Sequence, residues 1–276
     1  MPSGSSHPGA PPAQVLQEFR VASQDLLPLT GGTTGECFRA GDVVFKPDQD
    51  EEVTEWIARL AAEVTPNARF RLARPLRANA GAWTISGWAA FTFEDGGHEH
   101  GRWIEMLEAG RALHEAIKHL PRPDFLDRRT DRWFRGDRAV WGEVEIAVPD
   151  TLRPQVEALS AILQPVHVRS QVIHSDLCGN TLLHHRLPPA IIDFSPLYRP
   201  AEYAEGILVS DAVVWESGPL RLAEEWTTNE TRRQMLIRAC LFRLFVAAIG
   251  WPEMPDRLAL IAEHHAPITN WLERHP

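Results

Sequence analysis

The chain has 276 residues, of which 44% are hydrophobic and 24% charged, and its formal net charge is −9. That is enough apolar material for one large or two small cores, and the acidic balance argues against a nucleic-acid backbone as the main partner. Three cysteines, Cys37, Cys178 and Cys240, fit no disulfide framework. The start of the chain lacks the basic-then-apolar pattern of a signal peptide. The longest apolar stretch, residues 235–250, is interrupted by Arg238 and Arg243 and is too short for a lipid span. These features predict a cytoplasmic protein with no membrane partner.

Residues 1–12, rich in Pro, Gly and Ser, predict a disordered leader. Residues 26–47 predict a small antiparallel sheet. Its T-G-G-T-T-G-E segment holds Gly31, Gly32, Thr33, Thr34 and Gly35. Glycines there let the backbone come close to a phosphate and donate N–H groups to its oxygens. Such a loop is more often an ordinary hairpin, but Lys46 closes the strand Val43, Val44, Phe45 that follows it. A lysine so placed can meet phosphate oxygens, whereas an edge lysine would simply point to water.

Residues 51–64 have helical spacing, with Val53, Ile57 and Leu60 on one face and Pro66 beyond. Glu52, Glu55 and Glu63 lie on the same helix, and Glu55 flanks the apolar face beside Trp56. Residues 70–77 and 82–93 predict two strands separated by a turn at Asn79–Gly81. Residues 95–101 read as a loop; His98 and His100 without a nearby third ligand make a poor metal site, and His184–His185 and His264–His265 are no better.

From there the pattern is helical. Met106, Ala109, Leu113 and Ala116 mark one helix, stopped by Pro121 and Pro123. Residues 124–145, charged and aromatic, predict irregular structure. Leu152, Val156, Leu159 and Leu163 mark an amphipathic helix. Further helices are expected around residues 220–225, 232–249 and 257–264.

The stretch from Val172 to Pro196 stands out. It predicts a strand, a polar loop with His174, Asp176 and Asn180, and, after a turn, an apolar strand of Ala190, Ile191 and Ile192 that delivers Asp193. A hairpin of this kind would bring two carboxylates and an amide to one end of a small sheet. Oxygen ligands so grouped suit a hard cation such as Mg²⁺, and a further carboxylate can take a proton from an attacking hydroxyl.

The order H-x-D, Asn and D-F resembles the aminoglycoside phosphotransferase branch of the protein-kinase-like enzymes. That branch usually writes the loop H-G-D-x-x-x-x-N; here it is H-S-D-x-x-x-N, one residue shorter, and Ser195 stands where D-F-G has glycine. The resemblance runs over nearly the whole chain. It implies an α+β, protein-kinase-like two-lobed fold, with a small antiparallel sheet and one helix in residues 13–93 and a larger, mainly helical lobe in 94–276. It implies Asp176 as catalytic base, Asn180 and Asp193 as magnesium ligands, and Lys46 with the 31–35 loop on the phosphates of ATP. It further implies Glu55 paired with Lys46 and a hinge at residues 89–93, with Ala90 and Phe91 at the adenine. His174 would be a scaffold, and Asp211 would brace the catalytic loop through backbone N–H groups. Only about eight residues separate Asp193 from Glu202, too few for a peptide-docking platform, so the implied acceptor is a hydroxyl of a small molecule. Glu216, Glu224 and Glu225 are candidates for its pocket. The competing reading is a kinase-like nucleotide-binding protein without transfer. The acceptor's identity and the oligomeric state stay open.

Overall fold

The computed structural model describes residues 9–22, 25–29, 37–65 and 67–275. In chain order the elements are α1 (Ala13–Glu18), β1 (Leu27–Leu29), β2 (Cys37–Ala40), β3 (Val43–Lys46), α2 (Glu51–Glu63), β4 (Arg71–Leu72), β5 (Pro75–Leu76), β6 (Thr84–Ile85) and β7 (Trp88–Thr92). They continue with α3 (Trp103–Ile117), a 3₁₀ turn (Asp124–Arg128), α4 (Arg132–Val140), α5 (Arg153–Ala161), β8 (Gln171–His174), β9 (Thr181–Leu182), β10 (Ala190–Ile191) and β11 (Pro196–Arg199). The chain closes with α6 (Ala201–Val214), α7 (Arg221–Trp226), α8 (Glu230–Gly250) and α9 (Pro255–Arg274). It forms two units: Met1–His98 with Gly179–Phe194, and Glu99–Cys178 with Ser195–Pro276. The expected division after residue 93 did not foresee that residues 179–194 group with the N-terminal segment. The reason is local pairing: β10 lies parallel to β4, and Arg71 donates to the Pro188 carbonyl at 2.9 Å.

In the first unit, an antiparallel sheet runs in the order β1-β2-β3-β7-β5, with β6 also on β7. Alternation along the strands puts Phe38, Ala40, Phe45, Trp88 and Ala90 in one core with Val15 and Leu16 of α1. The strand expected over 82–93 is two strands. Ser86 and Gly87, at φ of 52° and 79°, make a two-residue turn between Ile85 and Trp88. Positive φ at both central residues matches the right-handed twist of the flanking strands, and Ser-Gly inside an apolar run hid the break. The strand expected over 70–77 likewise splits, β4 joining β10 and β5 joining β7.

The long helix described in this unit, α2, starts where Asp50 accepts from the Val53 N–H at 3.0 Å. It buries Thr54, Ile57, Leu60 and Ala61. Arg74 donates to the Ala61 and Val64 carbonyls and so occupies acceptors left over at its last turn. Of the expected disordered leader, residues 1–8 lie outside the described residues; Pro11 is buried and Pro12 caps α1.

In the second unit β8 pairs with β11, His174 opposite Pro196. The hairpin expected over 172–193 is therefore not formed. Its first strand pairs with β11, and its second, β10, pairs with β9 and β4. Both are short and apolar, and strand partners of such runs cannot be told from spacing alone. Around β8 the helices pack closely. α6 is almost wholly buried, its buried acids Glu205 and Asp211 each paired with an arginine. At Gly206 it approaches α8 so closely that a Cβ would lie 2.9 Å from the Met235 carbonyl oxygen. Residues 124–145, expected to be irregular, hold α4, because Asp131 caps the Trp133 and Phe134 N–H groups at 3.1 Å and Phe134, Gly136 and Val140 face inward. Three arginines on its outer faces masked the pattern. The final helix is longer than expected and runs through Pro267. No helix among the described residues is long and apolar enough to cross a membrane.

Candidate active site

The first unit brings together two of the residues singled out by sequence. Lys46 Nζ forms an ion pair with Asp193 Oδ1, although the two are 147 residues apart in the chain. Lys46 ends β3 on the sheet face opposite the α1 core, where it lies 5.7 Å from the Phe91 ring. Asp193 follows β10, its side chain 46% exposed. Its φ is 49°, a left-handed conformation that costs a non-glycine residue energy and is kept only where its surroundings fix it. Those surroundings are visible on both sides. The Ile192 N–H donates to the Asn180 carbonyl at 2.9 Å, and Phe194 is buried with its ring 6.1 Å from that of Trp56 on α2. Asn180 and Asp193 thus sit at the same end of the β9–β10 pair, two oxygen-bearing side chains at one strand terminus. Cys37, on β2, shares this neighbourhood; burial raises its thiol pKa, against the nearby Lys46 ammonium.

Three expectations for this unit need separate statements. Gly31, Gly32, Thr33, Thr34 and Gly35 lie outside the described residues. The Lys46–Glu55 pairing is not formed: Glu55 accepts from Arg59 one turn along α2 at 2.7 Å, its side chain 42% exposed, and the lysine is taken by Asp193. Ala90 and Phe91 are not at the strand's end. They lie within β7, opposite Phe45 and Val44 on one edge and Leu76 and Pro75 on the other, so the ladder occupies the backbone edges that a hinge would offer to a base.

The second unit holds Asp176, in the turn after β8. Two histidines fix this turn from below. The His174 ring, fully buried, accepts the Asp176 N–H at Nδ1 at 3.2 Å and the Ser195 N–H at 3.4 Å. The His174 N–H in turn donates to Nε2 of His114 on α3 at 3.0 Å. Burial, and then the neighbouring His174, pushes the His114 pKa down to about 3, so the ring is neutral and can accept.

The Asp176 carboxylate, 44% exposed, accepts from Nη2 of Arg243 at 2.9 Å. Arg243 is buried in the middle of α8 and is also held by Asp211 of α6, its Nε donating to Oδ1 at 2.8 Å and its Nη2 to Oδ2. Burial alone would lower the guanidinium pKa; Asp211 and Asp176 outweigh it and hold the group firmly protonated. Asp211 was expected to brace the loop through backbone N–H groups, but its bond is to this arginine. Sequence reading missed Arg243 as a site residue. The signal available was a cation interrupting an otherwise apolar helix, since arginine is rarely buried without a partner.

Behind the turn, Leu177 and Cys178 are buried, and burial pushes the Cys178 thiol far up. Glu216 accepts from Nε1 of Trp103 at 2.8 Å, and His100 Nδ1 is 3.6 Å away. Glu225, with Ile104, Leu107, Arg111, Trp226 and Arg232, lines a cavity of about 200 Å³. Glu224 is exposed on α7.

No protein-family model matches the sequence, and no curated protein sequence matches it either. Solved structures do. A thermostable mutant of aminoglycoside phosphotransferase APH(4)-Ia, in a ternary complex with ADP and hygromycin B, superposes with a TM-score of 0.59 at 15% identity, over 95% of this chain and 97% of that one. Spectinomycin phosphotransferase APH(9)-Ia, in complex with ADP and spectinomycin, gives 0.55 at 14% identity, over 91% and 92%. A choline/ethanolamine kinase family protein from Mesorhizobium loti gives 0.53 at 19% identity, over 91% and 88%. At these identities the likeness is one of fold, and it spans almost the entire chain: this protein has the protein-kinase-like α+β fold of the small-molecule phosphotransferases.

Proposed function

We propose that the protein is an ATP-dependent phosphotransferase of the cytoplasm that moves a γ-phosphoryl group onto a hydroxyl of a small molecule of sugar, aminoglycoside or amino-alcohol type. The observation that carries this reading is the Lys46–Asp193 ion pair. It sets a strand-end cation beside the D-F aspartate, so that a phosphate-binding group and a metal-binding group are neighbours. The first unit is then the nucleotide-binding one. Lys46 holds the phosphates together with the 31–35 loop. Asp193 and Asn180, with oxygen donors at one end of the β9–β10 pair, fit a hard divalent cation. Magnesium bound there would supply positive charge to offset the negative charge on the transferring phosphoryl group.

The second unit supplies the base. Asp176 orients the acceptor hydroxyl and takes its proton, while His174 and His114 keep the turn in shape. Most of the rate gain comes from positioning and electrostatics, since phosphoryl transfer leaves the protein little covalent chemistry to do.

The test is magnesium-dependent loss of ATP across a panel of sugars, aminoglycosides and amino alcohols. Asp176→Ala should abolish transfer while nucleotide binding persists, and Asp193→Ala should weaken the magnesium–nucleotide complex as well. Full turnover by Asp176→Ala would remove the base from this account. Nucleotide binding without turnover on any acceptor would favour a kinase-like binding protein instead.

A further inference from the structure

We propose that Arg243 is the positioning residue for the base: it fixes the Asp176 carboxylate in its working orientation, from an anchor set by Asp211. The proposal rests on the phosphotransferase reading for its catalytic meaning and on geometry for the clamp itself. Three hydrogen bonds leave one guanidinium. Two go to Asp211, from Nε at 2.8 Å and from Nη2, and one goes from Nη2 to Asp176 Oδ1 at 2.9 Å. The Asp211 and Arg243 side chains are 7% and 9% exposed, whereas that of Asp176 is 44% exposed. The inner pair is therefore the rigid part and the outer contact is the working one. The guanidinium is further confined by two rings, Trp133 at 5.4 Å and Phe242 at 5.1 Å from their centroids.

The arrangement needs an arginine. A planar fork can grip one carboxylate with two nitrogens and still reach a second, which the single ammonium of lysine does less well. One cation shared between two carboxylates also suppresses their mutual repulsion, which would otherwise swing the more exposed one, Asp176, away. Together with the Asp176 N–H on His174, the clamp holds both the backbone and the side chain of the base.

Arg243→Met alone would strand the buried Asp211 carboxylate and is expected to fold poorly. The informative protein is the double variant Arg243→Met/Asp211→Asn, which removes both members of the inner charge pair and leaves Asp176 in place without its bond to Arg243. It should fold. With ATP, magnesium and the acceptor panel, kcat should fall about 10- to 100-fold, the scale of a slight misplacement of a reacting group. KM for ATP should stay within about twofold, because the nucleotide groups lie in the other unit. Arg243→Lys should recover part of the loss. A folded double variant with unchanged kcat overturns the proposal.

If the unmodified protein turns over no acceptor on the panel, the phosphotransferase reading fails, and the clamp is judged separately. In an Asp211→Asn background, the melting-temperature shifts of Asp176→Asn and Arg243→Met are compared with that of the two combined. A combined shift smaller than the sum supports the clamp; strict additivity overturns it.

Discussion

Protonating His114 should loosen the turn that carries Asp176, and the size of the effect can be worked out. The fully buried ring accepts the His174 N–H at Nε2, and its Nδ1 has no hydrogen-bond partner. A proton on Nε2 would destroy the acceptor and place a charge in an apolar interior. The folded pKa is accordingly about 3, against 6.5 for an ordinary histidine. The folded value lies below the unfolded one, so the unfolded chain binds the proton more readily. Stability from this group is fully present above pH 6.5 and drains away as pH falls from 6.5 toward 3. Between pH 7 and pH 5 the loss comes to about 2 kcal/mol. His114→Gln keeps a side-chain oxygen that can accept from His174 and cannot be charged. Urea unfolding followed by circular dichroism at pH 7 and pH 5 should show the unmodified protein losing about 2 kcal/mol more than the variant. His265, also buried and with its pKa pushed down to about 4, is present in both proteins and cancels. Parallel pH dependence in the two proteins would refute the assignment of a neutral, bonded His114.

Other consequences are checked by simpler means. Gly206→Ala gains about 1 kcal/mol of helix propensity, but its Cβ would meet backbone atoms of Met235 and Leu236 at 2.9 to 3.3 Å, which cannot rotate away. Overpacking of this kind costs about 1–3 kcal/mol, so the denaturation midpoint should fall; a rise would mean that α6 and α8 can separate freely. All three thiols have raised pKa values, but Cys37 is half-buried whereas Cys178 and Cys240 are buried. A maleimide followed by mass spectrometry should label Cys37 first in the native protein and the other two only on unfolding.

The residues that spacing and chemistry could find were those whose neighbours in sequence explain them. Lys46 ends an apolar strand after glycines, Asp193 follows another, and Asp176 and Asn180 stand four residues apart in the sequence. Helix starts with a capping side chain were equally legible where an apolar face followed, as at Asp50. Where charge covered the face, as in α4, the same cap went unread. Glu55 was misplaced for a related reason: several glutamates on one helix look alike until the fold decides which faces inward, and Glu55 turned to Arg59. Ala90 and Phe91 were misplaced because the break at Ser86–Gly87 shifts the strand's paired interior onto them.

By itself the sequence determined the order of the chemical groups, because periodicity, glycine placement and short motifs are properties of neighbouring residues; the fold class followed from the resemblance that those motifs carry. Tertiary structure alone decided the strand partners, so that β8 joins β11 while β10 joins β4 and β9. It alone showed that Arg243, 67 residues beyond Asp176, is what holds that carboxylate, and that His114, 60 residues before His174, carries its N–H. A hydrogen bond across such a separation is chosen by packing and burial, and it leaves no trace in the local pattern at either end.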